Sequence, residues 1–209
     1  VQSGQIRFLS SKVSLVVSAP HNEFTEDWVK KIFDRRLVSF AKLTLVPKSF
    51  DIIPDPEFKP QMKYVCISPM IPQPPFLTDE TGVLPEPLDP RSHEFSDLFY
   101  DAVLDRMEKA GFTEEQITSF AEFEIVPDPG YIQKISETHK KFARIYKNNN
   151  NQTMYGYLLP FTLHAHPQVQ KFIWECGIGN FSTQGYGMVD VVGGFGIPSE
   201  ALPEALPEE

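Results

Sequence analysis

Cysteine, basic charge and long apolar runs are all scarce in this 209-residue chain, and each scarcity narrows what it can be. Cys66 and Cys176 stand far apart and neither belongs to a Cys-x-x-Cys pair, so a zinc site or a disulfide framework has no support. A reducing cytoplasm is the simplest home. No apolar run approaches the length of a membrane span, and the start carries no signal-peptide pattern. Residue 1 is Val, followed at once by Gln-Ser-Gly, which reads as a trimmed form of something longer. With 19 Lys and Arg against 28 Asp and Glu, the net charge is −9, opposite to the usual signature of a generic nucleic-acid binder. A hydrophobic content of 41%, rich in Phe, is nevertheless enough for real cores in one large domain or two small ones.

What the chain does have is a glycine-rich stretch near its C-terminus, Gly177-Ile178-Gly179-Asn180-Phe181-Ser182-Thr183-Gln184-Gly185-Tyr186-Gly187, followed by the apolar run Met188-Val189-Asp190-Val191-Val192. It reads as a loop feeding a strand. Two familiar glycine motifs do not fit. A dinucleotide fingerprint needs a third glycine where Ser182 stands, and a helix after it. A phosphate-cradling P-loop needs Gly-Lys-Ser/Thr where this chain has Gly185-Tyr186-Gly187. Glycine lets a ligand approach the main chain closely, so the stretch is expected to turn bare amides toward an anion. The alternative is a glycine-rich turn with no ligand.

Charge is distributed unevenly. From Tyr131 to Lys147 the chain carries Lys134, Lys140, Lys141, Arg144 and Lys147 against one acid, Glu137, whereas Glu200, Glu204, Glu208 and Glu209 weight the C-terminus. The basic segment is either a solvated face or a phosphate-binding surface.

Patterning predicts the elements. Residues 5 to 19 read as a hairpin, Thr25 to Arg35 as a helix, and Leu37 to Val46 and Phe50 to Ile53 as strand, ending at the joint Pro54-Asp55-Pro56. A strand from Met62 runs into Ser68-Pro69-Met70-Ile71, and a proline-rich connection follows. Ser92 caps a helix to Lys109, stopped by Gly111, whose stripe includes Phe95, Phe99, Val103, Arg106 and Met107. Further strands are expected at Phe120 to Val126, Phe142 to Tyr146 and Met154 to His164, then a helix from Pro167 to Cys176. The second part is thus a ferredoxin-like βαββαβ unit with one strand extra.

These residues resemble a known family. The Gly-φ-Gly, five residues, Gly-aromatic-Gly, strand pattern of Gly177 to Val192 is similar to the glycine-rich signature of the CRISPR-associated RAMP superfamily, specifically the repeat-RNA-processing endoribonucleases of the Cas six family. The helix before it, and Phe58 to Ile71 with its Ser-Pro-φ-φ end, strengthen the likeness. The resemblance implies an α+β fold of two tandem ferredoxin-like (RAMP/RRM-like) domains. These are a partial N-terminal domain at 1–55 lacking its first strand and helix, a C-terminal domain at 56–193, and a flexible acidic tail at 194–209. It implies cleavage of CRISPR precursor RNA within repeats by metal-independent attack of a 2′-hydroxyl, releasing guide RNAs for antiviral defence. No cofactor and no metal are called for. The ligand would be CRISPR repeat RNA, with room for other CRISPR-associated proteins as partners, no membrane, and a monomer or homodimer.

By the same resemblance RNA would be held by Gly177, Gly179, Ser182, Thr183, Gln184, Gly185 and Gly187, with Lys134, Lys140, Lys141 and Arg144 adding charge. The family histidine lies upstream of where this chain starts, so no catalytic residue is carried over. Many members also place a cation inside the glycine loop, and Asn180 to Gln184 contain none. His21, His93, His139, His164 and His166 have no acid or second histidine at a diagnostic spacing, and His139 stands out only by its basic company. Two other readings stay open, a RAMP subunit that binds RNA without cutting it and an α+β interaction protein whose glycines only shape a turn.

Overall fold

The computed structural model describes residues 11–20, 22–40, 43–73, 86–138, 140–148 and 152–193. The chain divides into two compact units, Val1–Phe50 and Asp51–Glu209. The first contains helix α1 (Asn22–Phe33) and the antiparallel strands β1 (Val38–Phe40) and β2 (Leu43–Leu45), with Val38 opposite Leu45. Leu37 to Val46, expected as one strand, is therefore a hairpin. Its apolar alternation runs through Val38 and Phe40 and resumes out of phase at Leu43 and Leu45, which marks the break. Residues 11–20 form no strand, and the earlier half of that expected hairpin lies outside the described residues. Phe50 to Ile53 form no strand either. They are too exposed for a paired strand, Ile52 being 81% accessible.

The second unit begins with β3 (Gln61–Cys66), α2 (His93–Lys109) and the short α3 (Glu114–Thr118). Next come β4 (Phe123–Pro127), α4 (Pro129–Glu137), β5 (Ala143–Lys147) and β6 (Thr153–Tyr157). It ends with β7 (Phe161–Ala165), α5 (Pro167–Cys176), a 3₁₀ turn (Ser182–Gln184) and β8 (Val189–Val191). Four strands make one antiparallel sheet in the order β4-β7-β3-β8. Thus β7 lies between β3 and β4, which α2 connects, and β3 lies between β7 and β8, which α5 connects. This is a split βαβ arrangement used twice.

Helix α2 forms where expected because its ends are chemically marked. The Ser92 hydroxyl accepts from the Phe95 amide at 3.2 Å, and Gly111, at φ +96°, follows the last turn. Its apolar stripe buries Phe95, Phe99, Val103 and Met107 against the sheet, with Phe95 edge-on to both Phe99 and Tyr157 at 4.9 Å. Each such ring removed from water contributes about 1.5–3 kcal/mol, and these rings dominate the core.

Two expectations need correction. Met154 to His164 is two strands, because the main chain leaves one sheet and joins another across Leu158-Leu159-Pro160. β6 pairs with β5, while β7 pairs with β3 and β4. The unit therefore has two strands beyond βαββαβ, not one. The basic segment also begins with a helix, α4, that apolar spacing alone did not suggest. Its start is set by the Asp128 carboxylate, which accepts from the Tyr131 amide at 2.9 Å, and by Pro129 in the first turn.

Candidate nucleic-acid interface

The glycine stretch is built against the Ser68-Pro69-Met70-Ile71 segment, so the two motifs singled out by sequence meet in space. The Ser68 hydroxyl accepts from the Met188 amide at 2.8 Å and the Pro69 carbonyl from Gly187 at 2.8 Å. The Ile71 carbonyl accepts from the Asn180 amide at 2.9 Å, and the Asn180 side chain donates to the Pro72 carbonyl at 3.0 Å. Met70 meanwhile exchanges two 2.9 Å main-chain bonds with Tyr157, tying the β5–β6 hairpin to the same segment.

This geometry explains the glycines. At Gly187 a Cβ would lie 1.9 Å from the Ile178 carbonyl oxygen, and at Gly179 2.6 Å from that of Ile71. Both also sit at positive φ, +72° and +78°, which side chains oppose. The glycines serve close main-chain packing. Their amides are mostly not bare, contrary to expectation. Gly177 donates to Ile173, Gly185 to Ser182 and Gly187 to Pro69, because a loop this tightly folded must pair its own polar groups. The loop amides without an acceptor among the described residues are those of Gly179, which is buried in the frame, and of Phe181, Ser182 and Thr183, which are half-buried to exposed. Phe181 adopts the left-handed conformation at φ +63°, and the reversal of hand between it and Ser182 turns consecutive amides to one side. Thr183 and Gln184 are exposed there, and Ser182 is half-buried.

A residue not anticipated at the site holds the frame from behind. Arg106 of α2 donates to the carbonyls of Cys176 at 2.5 Å, Gly177 at 3.1 Å and Gly179 at 2.9 Å, and lies over the Phe172 ring at 5.4 Å. It satisfies carbonyls left open where α5 ends. Burial lowers its pKa, yet the guanidinium remains charged. The clue in the sequence was a lone cation inside the apolar stripe of α2.

The basic segment is spread over three elements. Lys134 lies on α4, Lys140 and Lys141 precede β5, and Arg144 is on β5, all exposed and none with an acid partner among the described residues. Other cations are matched: Lys31 with Asp27, Lys109 with Asp105, Lys171 with Asp55. Alternation along β5 puts Arg144 and Tyr146 on the same face. The Tyr146 ring covers Gly156, where a Cβ would be 2.7 Å from it, and meets the Tyr186 ring of the glycine loop at 6.2 Å, edge-on. Burial raises the Tyr146 pKa, partly offset by the Arg144 cation. The described contacts therefore bring Tyr146 to the loop, with Arg144 two residues away on the same face of β5, and they do not bring Lys134, Lys140 or Lys141 there.

Of the histidines, His21 and His139 lie outside the described residues. His93 is exposed at the start of α2. His164 lies on β7, opposite Glu124 of β4 and Gln61 of β3. His166 caps α5, its Nδ1 accepting from the Gln168 amide at 3.2 Å, and its ring lies 4.8 Å from Phe120.

Residues 53–191 match the family model described as CRISPR associated protein Cas6, C-terminal. No curated protein matches the chain. Among solved structures, a Cas6-related protein of Pyrococcus furiosus aligns at TM-score 0.61 with 17% identity, over 83% of this chain and 65% of that one. A CRISPR associated protein Cas6 aligns at TM-score 0.61 with 20% identity, over the same shares. A third, a RAMP protein described as binding different RNA substrates, aligns at TM-score 0.60 with 15% identity, over 83% and 66%. The α+β fold is thus shared with Cas6 structures, and this chain spans about two thirds of their length. Among the described residues, no helix is long and apolar enough to cross a membrane.

Proposed function

The chain belongs to the CRISPR-associated Cas6 family through its C-terminal domain, and from that premise we propose that it binds CRISPR repeat RNA and cleaves the precursor within each repeat. One observation carries the binding half of this reading. The unclaimed amides of Phe181, Ser182 and Thr183 stand on the same loop whose Tyr186 ring meets Tyr146, and Arg144, with no acid partner among the described residues, lies on the same face of β5 as Tyr146. Amides and an arginine with no acid nearby suit a phosphodiester backbone, since both offer donors to its oxygens and neither needs a particular base. The negative charge of the chain as a whole weakens attraction at long range, so binding depends on this local surface and falls steeply with salt.

In this reading Ser182, Thr183 and Gln184 add side-chain donors, Lys134, Lys140 and Lys141 guide the strand beyond the loop, and Gly177, Gly179, Gly185 and Gly187 shape the loop that presents it. Residues 1–55 and 56–193 act as tandem ferredoxin-like domains. Cleavage follows the metal-independent route, a ribose 2′-hydroxyl attacking the adjacent phosphate to leave a 2′,3′-cyclic phosphate and a 5′-hydroxyl, with a proton-transfer residue outside the loop. A second reading, RNA binding without cutting, is favoured by the use of His166 as a helix cap, and none of the three described histidines contacts the loop.

Incubating the protein with labelled repeat RNA in EDTA tests this. One cut per repeat with a cyclic-phosphate end supports cleavage. Salt-sensitive binding without a cut supports the second reading, and no binding at low salt removes both.

A further inference from the structure

The tyrosines of the second unit differ in what their hydroxyls do. Tyr100 donates to the Phe120 carbonyl at 3.0 Å, Tyr131 to Leu158 at 2.8 Å and Tyr157 to Leu88 at 3.0 Å, which is how a ring placed for packing satisfies its polar end. The hydroxyls of Tyr146 and Tyr186 have no partner among the described residues. The two rings come from different elements, the β5–β6 hairpin and the glycine loop, and meet edge to face with planes at 76°. An interaction between elements that serves only packing would ordinarily be buried, yet both rings are half-exposed. Gly156 leaves room for the Tyr146 ring to lie flat on β6, and the Tyr186 main chain is fixed by its amide bond to Phe181. The pair is therefore held from below while part of it faces solvent; Arg144 lies on the same face of β5 as Tyr146, and the amides of Phe181, Ser182 and Thr183 belong to the same loop as Tyr186.

We infer that Tyr186, supported edge-on by Tyr146, is a stacking platform for one unpaired base of an RNA strand whose phosphates are held by Arg144 and the neighbouring amides. This rests on the RNA-binding reading above and adds to it a requirement that the strand be single-stranded at this point. A duplex keeps its bases stacked on each other, whereas an unpaired base can exchange solvent for an aromatic face. Phosphate contacts set the position of the strand, and the ring selects where along it a base must be free.

The test uses the full chain and single-stranded repeat RNA in which one base at a time is removed to leave an abasic sugar. With the native protein, one abasic position should weaken binding about tenfold, in the range for base stacking on aromatic side chains. Tyr186→Ala should lose a similar factor and then become insensitive to that same abasic position, while Tyr186→Phe stays within about twofold of the native protein because the ring, not the hydroxyl, is used. Native binding indifferent to every abasic position overturns the inference, whether or not Tyr186→Ala folds. An abasic penalty that persists in full in Tyr186→Ala places the stacked base elsewhere and also overturns it. In either case a weakened Arg144→Ala leaves the RNA-binding reading intact. Absence of any RNA binding by the native protein at low salt removes both.

Discussion

The glycine stretch has two halves that differ in kind. Its frame, Gly177, Gly179 and Gly187 with Ile71 and Arg106, is closed: carbonyls and most amides are paired, and a methyl group would collide with main chain. Its crown, Phe181 to Gly185, is more open: the amides of Phe181, Ser182 and Thr183 have no acceptor among the described residues, Thr183 and Gln184 are exposed, and a Cβ at Gly185 would meet nothing within 4 Å. A single sequence motif thus contains residues that make the loop possible and other residues that can meet a ligand, and the glycines belong mostly to the first group. Substitutions at neighbouring glycines should therefore separate sharply.

The largest effect is expected at Gly187→Ala. The new Cβ must displace the Ile178 carbonyl and holds an unfavourable positive φ, so stability should fall by about 3 kcal/mol or more, read from urea unfolding. Arg106→Met comes next. Losing three donors leaves the carbonyls of Cys176, Gly177 and Gly179 short of partners, at a cost of about 2–3 kcal/mol. An unchanged midpoint would mean that water replaces the guanidinium and the frame is looser than described.

Gly185→Ala should cost only about 1 kcal/mol, the penalty for a side chain at φ +86° in open space. If it proves as damaging as Gly187→Ala, the division into frame and crown fails. Arg144→Ala should leave stability within about 0.5 kcal/mol, because the exposed guanidinium has no ion partner among the described residues. Its RNA affinity should fall a fewfold, and the slope of log affinity against log salt should become shallower by about 1.

Much of the second unit was legible because its signals are local. Ser92 and Gly111 bracket α2, Pro167 and Gly177 bracket α5, and the apolar stripe between them repeats at helical spacing. The break after Tyr157 was missed because Leu158-Leu159 continue an apolar run, and only Pro160 hinted that the chain changes sheets. The start of α4 is marked locally by Asp128 as a cap and Pro129 in the first turn, a signal independent of the basic charges that follow. For the site, sequence located the loop and its Ser-Pro-φ-φ partner. It could not say that the two bond to each other, that Arg106 supports them, or that Tyr146 reaches Tyr186. Those are contacts between residues 40 to more than 100 positions apart, which no local period encodes. The role assigned to glycine amides was the natural inference from composition, and it was displaced by the need of a tight loop to satisfy its own main chain.

The central claim, that this loop meets RNA through its crown and not through its glycine frame, can be measured amide by amide. In a nitrogen-15-labelled sample titrated with single-stranded repeat RNA, the amide signals of Phe181, Ser182 and Thr183 should shift progressively to saturation, while those of Gly177 and Gly187, already donating to Ile173 and Pro69, should move little. Saturating RNA that leaves Phe181 to Thr183 unmoved, or that moves the frame amides instead, would contradict the account.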